Sequence, residues 1–411
     1  LKPRPHNSEQ AYAGLPDREY PSICQSNPGG PRCYGRVLDQ SAANFTRRSF
    51  CATLGARSET VRKCAMHLFQ ENAPQDLDRA LESLAILDLG PFLDGQDGAQ
   101  DQLASEIRHA CETIGFFYIK NHGVPAAVID NAFAQSRRFH ALPLSEKKKL
   151  PLDKHNVGYL PMNESVQKHS TVHKATKPNQ NESFFITHDR GPDHPDLIAG
   201  TPLRGGNYWP GDLPGFREGV MAYFRALNDL GQRLIPAFAV ALGMSADYFE
   251  EDFANENNAK LRLLHYPPTQ VEDNDFGTGP HTDNSFMTIL ARDDTPGLAI
   301  RLTSGEWLAP PVIPGTFLVN IGNMIRRMSN DRFLSTPHGV IVEGDTDRYS
   351  MAYFHSPNVT RPIKVAPSCV DDEHPAKYEP TLYADLIREF YQANYFHQDG
   401  YGKAEIRNRY D

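Results

Sequence analysis

Apolar residues recur three and four positions apart in four stretches of the chain, which is the spacing that places them on one face of an amphipathic helix. These stretches are 102–113, 126–139, 216–242 and 379–396. In the longest of them the apolar stripe consists of Met221, Phe224, Leu227, Leu230, Leu234 and Phe238. A stripe of this kind is typical of a helix that packs against a core. We therefore expect the long helix to lie along the outside of a core formed by other elements.

From residue 260 to about residue 365 the pattern changes to short apolar runs, several of them alternating with polar residues, divided by Gly, Pro, Asn and Asp. Alternation indicates strands with one buried face, and many short strands between turn residues are typical of a double-sheet jelly roll. Shorter strand patterns occur earlier, at 84–89 and after Gly115. Together with the helices, the pattern predicts an α+β fold with a double-stranded β-helix, or jelly-roll, core and flanking helices.

The pattern also divides the chain into five segments. Residues 1–79 are rich in Pro, Gly, Ser, Asn and Arg and lack sustained periodicity, which predicts a disordered extension. We expect 80–215 to supply strands and helices that pack on the barrel, and 216–259 to supply the long helix and its connection. Residues 260–365 would form the jelly-roll core, and 366–411 a helical tail.

Composition and charge narrow the class of protein. The chain has 411 residues, of which 39% are hydrophobic and 23% charged, as in ordinary globular proteins. A net charge of −9 argues against a general nucleic-acid-binding or anionic-membrane surface. No apolar run is long enough to span a bilayer. Six cysteines without C-x-x-C spacing favour reduced thiols. We expect a cytoplasmic protein with a small-molecule partner; the sequence carries no signal for its oligomeric state.

A candidate metal site begins with His281 and Asp283, which are separated by one residue in an apparent strand. Residues two apart on a strand project from the same face, so both side chains can bind one ion. A third ligand must come from elsewhere in the fold, and the candidate is His338. Two imidazoles and one carboxylate leave coordination positions open, as in non-haem Fe(II) oxygenases. A structural zinc site would instead be closed by four ligands.

Arg348 and Ser350 form a second pair at the same spacing. A guanidinium and a hydroxyl on one face suit a carboxylate, because arginine supplies a forked pair of charged donors. With both motifs, the chain resembles the iron(II)/2-oxoglutarate-dependent dioxygenases of the isopenicillin N synthase-like family over roughly residues 84–365. The resemblance also rests on 261–267, on Gly297-Leu298 and on 314–322.

The resemblance implies two sets of site residues. The ligands of Fe(II) would be His281, Asp283 and His338. The residues that bind the far carboxylate of the co-substrate, 2-oxoglutarate, would be Arg348, Ser350 and Tyr266. O2 would be the oxidant, succinate and CO2 would be released, and no catalytic residue beyond the metal ligands is implied. The expected reaction is hydroxylation, desaturation or cyclisation of a small molecule whose identity the sequence leaves unknown.

Three alternatives remain open at this stage. An isopenicillin N synthase-type oxidase would use iron and O2 without 2-oxoglutarate, because that enzyme binds its substrate carboxylate with a similar Arg-x-Ser pair. Local similarity of 335–338 and 352–358 to microbial members, including the ethylene-forming enzyme, leaves fragmentation of 2-oxoglutarate to ethylene open as a side or main activity. A non-catalytic jelly-roll module would bind a ligand without reaction.

Some aromatic and histidine side chains are weaker candidates for the functional site. Tyr159 and Phe185 are candidates for the wall of a substrate site. His265 and His355 flank motifs without occupying a matched ligand position, so we expect them outside the metal site. The chain also departs from its relatives at Gly339, where Arg is common.

Overall fold

The computed structural model describes residues 80, 82–167, 170, 172, 176–269, 275–341, 344–399 and 401. Residues 1–79, for which the sequence predicts a disordered extension, lie outside this part of the chain. The same holds for 402–411, the end of the expected tail.

The helices of the described residues include all four that the periodicity predicts. In chain order they are α1 (Gly90–Leu93), α2 (Ala99–Thr113), α3 (Ala126–His140), α4 (Leu144–Lys147), α5 (Pro195–Ala199), α6 (Phe216–Ala241), α7 (Glu250–Phe253), α8 (Asn323–Met328) and α9 (Tyr383–Asn394), with a 3-10 turn at Pro367–Cys369. The predicted stripe of α6 is buried. At its C-terminal end, Arg108 of α2 donates to the carbonyls of Ala241 and Val240, at 2.6 and 3.0 Å. The Val240 carbonyl also accepts from the Gly243 N–H, at 2.9 Å, so the guanidinium adds to the backbone capping of this helix end.

The strands form one large sheet, one small sheet and a two-stranded ribbon. They are β1 (Ile86–Asp88), β2 (Phe116–Lys120), β3 (Gly158–Leu160), β4 (Glu182–Ile186), β5 (Lys260–Tyr266), β6 (Thr278–His281), β7 (Met287–Arg292), β8 (Leu298–Arg301), β9 (Trp307–Leu308), β10 (Thr316–Ile321), β11 (His338–Val340), β12 (Arg348–His355), β13 (Pro362–Ile363) and β14 (Thr381–Leu382). The large sheet has the order β1-β2-β10-β7-β12-β5-β4-β3, and the small sheet has the order β6-β11-β8-β9. Strands β1 and β2 pair in parallel, and the other pairings are antiparallel.

Alternation along the strands separates two cores. Tyr266 of β5 and Ala352 of β12 pack in one buried cluster with Ile300 of β8 and Val340 of β11, so this cluster lies between the two sheets. Met351, next to Ala352, belongs instead to the cluster that contains α2, α3 and α6. Successive residues of a strand point to opposite faces, so one face of the large sheet looks into the barrel and the other is covered by helices. The predicted α+β jelly roll with flanking helices is confirmed.

Candidate active site

The pairing of two short strands brings the two predicted histidine ligands together. Strands β6 and β11 are antiparallel, with His338 opposite His281, and the two ring centroids lie 4.5 Å apart. Asp283 Oδ1 is 3.5 Å from His281 Nε2 and 3.7 Å from His338 Nε2. One ligand atom from each of the three side chains lies within 4.8 Å of the other two. The prediction that His281 and Asp283 both lie on one strand was wrong, because β6 ends at His281 and Asp283 lies in the following loop.

The two imidazoles are oriented by backbone carbonyls. His281 Nδ1 lies 2.9 Å from the Gly279 carbonyl oxygen, and His338 Nδ1 lies 3.1 Å from that of Thr336. A carbonyl oxygen only accepts, so each Nδ1 carries the proton and each Nε2 presents its lone pair towards Asp283. Burial lowers the pKa of His338 to about 4, which keeps this imidazole neutral. Histidine ligands oriented in this way are typical of metal sites.

Three groups hold Asp283, two through its carboxylate and one through its backbone carbonyl. Its Oδ2 accepts hydrogen bonds from Thr288 Oγ1 at 2.5 Å and from Asn320 Nδ2 at 2.7 Å. Its backbone carbonyl accepts from the Asn323 N–H at 2.7 Å. Burial raises the pKa of this carboxyl, but the neighbouring histidines and Asn320 outweigh that effect and hold it well below its usual range. Oδ1 therefore faces the imidazoles as part of an ionised carboxylate, and the three side chains fit a divalent cation.

The segment 320–323 thus supports Asp283, a role that sequence reasoning did not assign. Its conformation depends on Gly322, because a Cβ at this position would lie 2.1 Å from the Ser285 carbonyl oxygen. The close approach brings the amide of Asn323 and the side chain of Asn320 to Asp283. The sequence signal for this role was the motif Asn320-Ile321-Gly322, which lies within the segment 314–322.

The second predicted pair lies on the inner face of β12. Arg348 is 1% exposed and forms no ion pair with any described carboxylate. Its Nη1 donates to Ser350 Oγ at 3.4 Å, and its Nε has no hydrogen-bond partner. Its Cζ lies 4.8 Å from the ring centroid of Tyr266, whose hydroxyl is 3.1 Å from Thr278 Oγ1. The structure therefore brings Arg348, Ser350 and Tyr266 together, and no carboxylate of the described residues lies within ion-pair distance of this buried cation.

Other titratable clusters in the described part of the chain are already satisfied. His194, Asp196 and Glu256 lie within metal-binding reach of one another. However, Arg190 and Arg204 both pair with Glu256, so its charge is compensated. A third cluster, on the outer face of β5, contains acidic and basic side chains whose opposite charges compensate one another.

That outer cluster contains two of the weaker candidates. His265 contacts Glu182 at 2.8 Å and Asp347 at 2.6 Å. Tyr159 also donates to Glu182, and it is not among the residues that line the cavity beside the candidate metal ligands. His355 is buried beside Asn257, at 3.0 Å, and is likewise not one of the grouped metal-binding residues.

A cavity opens beside the candidate metal ligands. His281 and Asp283 form part of its wall, and side chains of α9 contribute another part. Phe185 lines it, as the sequence suggested. Lys260 and Arg262 also line it, and sequence reasoning missed both. The signal was present, because alternation along 260–266 places them on the same strand face as Tyr266.

Within the helices that the structure describes, no segment has the length and apolar character required to traverse a bilayer.

Comparisons with known proteins agree with this geometry. The model of the 2OG-Fe(II) oxygenase superfamily matches residues 257–357, and that of the N-terminal region described as "non-haem dioxygenase in morphine synthesis" matches 84–212. The chain is 33% identical over 328 residues to the 2-oxoglutarate-Fe(II) type oxidoreductase hxnY of Emericella nidulans, covering 77% of this chain and 92% of that protein.

Two solved structures are similar in fold. A full-length protein of Neurospora crassa in complex with alpha-KG has a TM-score of 0.66 and 27% identity, covering 75% of this chain and 96% of that one. JOX2 in complex with 2OG, Fe and JA has a TM-score of 0.64 and 28% identity, covering 79% and 88%. The chain therefore belongs to the 2OG-Fe(II) oxygenase superfamily and is a dioxygenase that uses Fe(II), O2 and 2-oxoglutarate to oxidise a small molecule, releasing succinate and CO2.

Proposed function

We propose that His281, Asp283 and His338 hold the Fe(II) of this dioxygenase. The proposal is supported by the facing Nε2 and Oδ1 atoms and by the backbone carbonyls that fix both imidazoles. When bound, Fe(II) would supply the site at which O2 and 2-oxoglutarate react. The protein contributes three ligands on one side and leaves the other side open towards the cavity.

The second part of the proposal is that Arg348 binds the far carboxylate of 2-oxoglutarate, with Ser350 and the hydroxyl of Tyr266 as further donors. One observation carries it: a guanidinium with 1% exposure and no ion pair to a described carboxylate. A charge buried without a counter-ion is costly, and a carboxylate ligand removes that cost through charge-assisted hydrogen bonds. The ring of Tyr266 supports the cation from one face.

The remaining inner residues exclude water and orient the substrate. The apolar cluster between the two sheets surrounds the guanidinium, which strengthens its attraction for an anion. The substrate enters from the cavity, because His281 and Asp283 form part of that wall. No side chain other than the metal ligands is assigned to the chemical step.

The test is an anaerobic titration of the purified protein with Fe(II) and then 2-oxoglutarate, followed by visible absorption. We expect a charge-transfer band that requires both components and is lost in His281→Ala. His281→Ala and Asp283→Ala should also abolish O2-dependent succinate formation with the fold retained in circular dichroism. Unchanged turnover in either variant would refute the ligand assignment.

The same experiment separates the alternatives. Iron binding without a band on addition of 2-oxoglutarate, and without succinate, would favour the isopenicillin N synthase-type oxidase. Ethylene detected by gas chromatography would identify fragmentation of 2-oxoglutarate. Absence of iron binding would favour the ligand-binding module.

We also propose that the protein acts in the cytoplasm. The described cysteines, Cys111 and Cys369, are buried free thiols, which agrees with a reducing compartment. Cell fractionation with an antibody against the chain tests this location, and recovery in a secreted fraction would contradict it.

A further inference from the structure

Two cationic side chains project from the inner face of β5 into the cavity beside the candidate metal ligands. Lys260 is 4% exposed, and its Nζ donates to the His155 carbonyl oxygen at 2.8 Å. Arg262 is 8% exposed, and it donates from Nε to Ser183 Oγ and from Nη2 to Asn181 Oδ1, both at 3.0 Å. All of these acceptors are neutral. Neither cation forms an ion pair with a described carboxylate.

Buried cations normally have an acidic partner, because an uncompensated charge in a low-dielectric site costs several kcal/mol. The same protein shows the usual solution elsewhere, where buried Lys147 lies 2.8 Å from the Glu182 carboxylate. In the cavity wall the acidic residue is Asp283, which the metal site uses. Burial lowers the pKa of Lys260 to about 7, and the more distant Asp153 only partly opposes this effect.

The described protein contacts use only some of the N–H donors of these two cations. An ammonium has three N–H groups and a guanidinium has five. The described contacts use one N–H of Lys260 and two of Arg262. Free charged donors that line a cavity are suited to an anion that enters it.

The rest of the cavity wall is partly aromatic and partly composed of neutral polar side chains. Phe185 and Phe354 come from the large sheet, and Phe390 and Tyr391 come from α9. The Phe185 ring also lies 4.9 Å from the Cζ of Arg262, which keeps the guanidinium against an apolar surface. Aromatic side chains with a few convergent polar groups are typical of sites for small organic ligands.

We propose that the substrate of this oxygenase is a carboxylic acid with an aromatic or alicyclic body. Arg262 and Lys260 bind its carboxylate, and Phe185, Phe354 and the α9 aromatics enclose its body. The inference rests on the proposed function, because it takes the cavity beside the metal ligands as the substrate site.

This anion site is distinct from the one assigned to 2-oxoglutarate. Arg262 pairs with Ala352 across the sheet, and Arg348 pairs with Tyr266. The two arginines are therefore separated by four residues along the strands and by one strand spacing, which is roughly 14 Å between Cα atoms.

The test compares matched acids and amides on the enzyme loaded anaerobically with Fe(II) and 2-oxoglutarate. Suitable pairs are phenylacetate with phenylacetamide, indole-3-acetate with indole-3-acetamide, and cyclohexanecarboxylate with its primary amide. Binding is measured by isothermal titration calorimetry. We expect at least one acid to bind tenfold or more tightly than its amide. Equal binding of acids and amides, or no binding of any acid, would overturn the proposal.

Substitutions of the two cationic residues test which side chains cause the preference for acids over amides. Arg262→Gln, which retains an amide donor for Asn181, and Lys260→Gln should each reduce the acid-to-amide ratio at least fivefold. Arg262→Lys should retain part of it. The matched control is Arg388→Gln, because this arginine lies on the solvent side of α9 and pairs with Asp385. An unchanged ratio in both Arg262→Gln and Lys260→Gln would also overturn the proposal.

Failure of this inference is distinguishable from failure of the proposed function. The charge-transfer band with 2-oxoglutarate reports on the metal ligands and on Arg348, and it does not depend on the substrate. A wild-type band without acid preference would refute only the substrate class. Loss of 2-oxoglutarate affinity in Arg262→Gln, to the degree seen in an Arg348 variant, would instead show that the cavity cations bind the co-substrate.

Discussion

Replacing Arg348 by methionine should affect the unliganded protein and its co-substrate affinity in opposite directions. Methionine retains much of the aliphatic length of arginine and removes the charge. In the structure this guanidinium is buried, its Nε has no partner and its hydrogen bond to Ser350 is long, at 3.4 Å. The side chain is therefore incompletely satisfied until an anion binds.

The magnitudes follow from this incomplete pairing. Removing one partner of a buried, hydrogen-bonded charge pair costs about 2–5 kcal/mol of binding free energy. The Kd for 2-oxoglutarate in Arg348→Met should thus rise from about 30-fold to several thousand-fold. Replacement of a buried charge by an apolar side chain of similar volume is often neutral or stabilising by about 1–4 kcal/mol. We therefore expect the free energy of unfolding of the unliganded variant to equal or exceed that of the wild type.

Arg292 provides a matched control. It lies half-buried on the inner face of the large sheet, but its Nη1 and Nη2 donate to the carbonyls of Pro310 and Pro311, at 2.9 and 2.7 Å. Arg292→Met would leave these carbonyls without the guanidinium, at a cost of about 1–3 kcal/mol for each buried group left unsatisfied. The two variants have the same change in side chain and opposite expected signs in stability.

The assay is urea unfolding with and without 2-oxoglutarate, followed by circular dichroism, together with anaerobic titration of the co-substrate. Wild type should gain stability with 2-oxoglutarate, and Arg348→Met should not. A loss of more than about 2 kcal/mol in unliganded Arg348→Met would refute the reasoning, because it would mean that the guanidinium is already well satisfied. An unaltered Kd would place the co-substrate elsewhere.

Two further predictions concern groups behind the site. Asn320→Ala removes the amide that holds Asp283 Oδ2, so Fe(II) affinity should fall about 10- to 100-fold; calorimetry that finds it within twofold of wild type would contradict this role. The buried pair of Glu182 and His265 should make stability depend on pH. Burial opposes ionisation of Glu182, but hydrogen bonds from His265, Lys147 and Tyr159 prevail and lower its pKa to about 2, so its contribution is lost as pH falls below 4.5. Burial also disfavours protonation of His265, yet its two carboxylate partners raise its pKa, so its contribution is full below pH 6.5 and is lost as pH rises through that raised value. Urea unfolding should therefore show the largest stability difference between wild type and Glu182→Gln between pH 4.5 and 6.5, and a difference independent of pH would contradict the pairing.

The clustering of the candidate metal ligands, and that of Arg348 with Ser350, was predictable because each cluster contains a short local motif. In each motif the two residues lie two positions apart: His281 with Asp283, and Arg348 with Ser350. The strand pattern of the remaining core predicts the jelly-roll fold, which brings His338 to His281 and Asp283. The end of β6 at His281 was not predictable in the same way. It depends on the Asn323 amide and the Asn320 side chain, which reach Asp283 from another part of the chain.

Lys260 and Arg262 show a different limit of prediction from the sequence. Alternation along β5 assigns Lys260 and Arg262 to the inner face, but it does not show whether an acidic partner meets them there. Lys147 does meet one, Glu182 of β4, although nothing in its run of lysines distinguishes it from a solvated residue. Whether a buried cation is structural or awaits a ligand depends on contacts across the sheet, and only the fold supplies these.

The position of the candidate metal ligands between the two proposed anion sites follows from β6. This strand begins at Thr278, whose hydroxyl contacts Tyr266 beside Arg348, and it ends at His281, which lines the cavity with Arg262. Three residues of strand span roughly 10 Å, so the ligand trio lies displaced from the Arg348 end towards the cavity. A co-substrate carboxylate at Arg348 and a substrate carboxylate at Arg262 would then lie near opposite ends of β6. Each arginine neutralises its own anion, so the two acids can occupy the barrel together without direct repulsion.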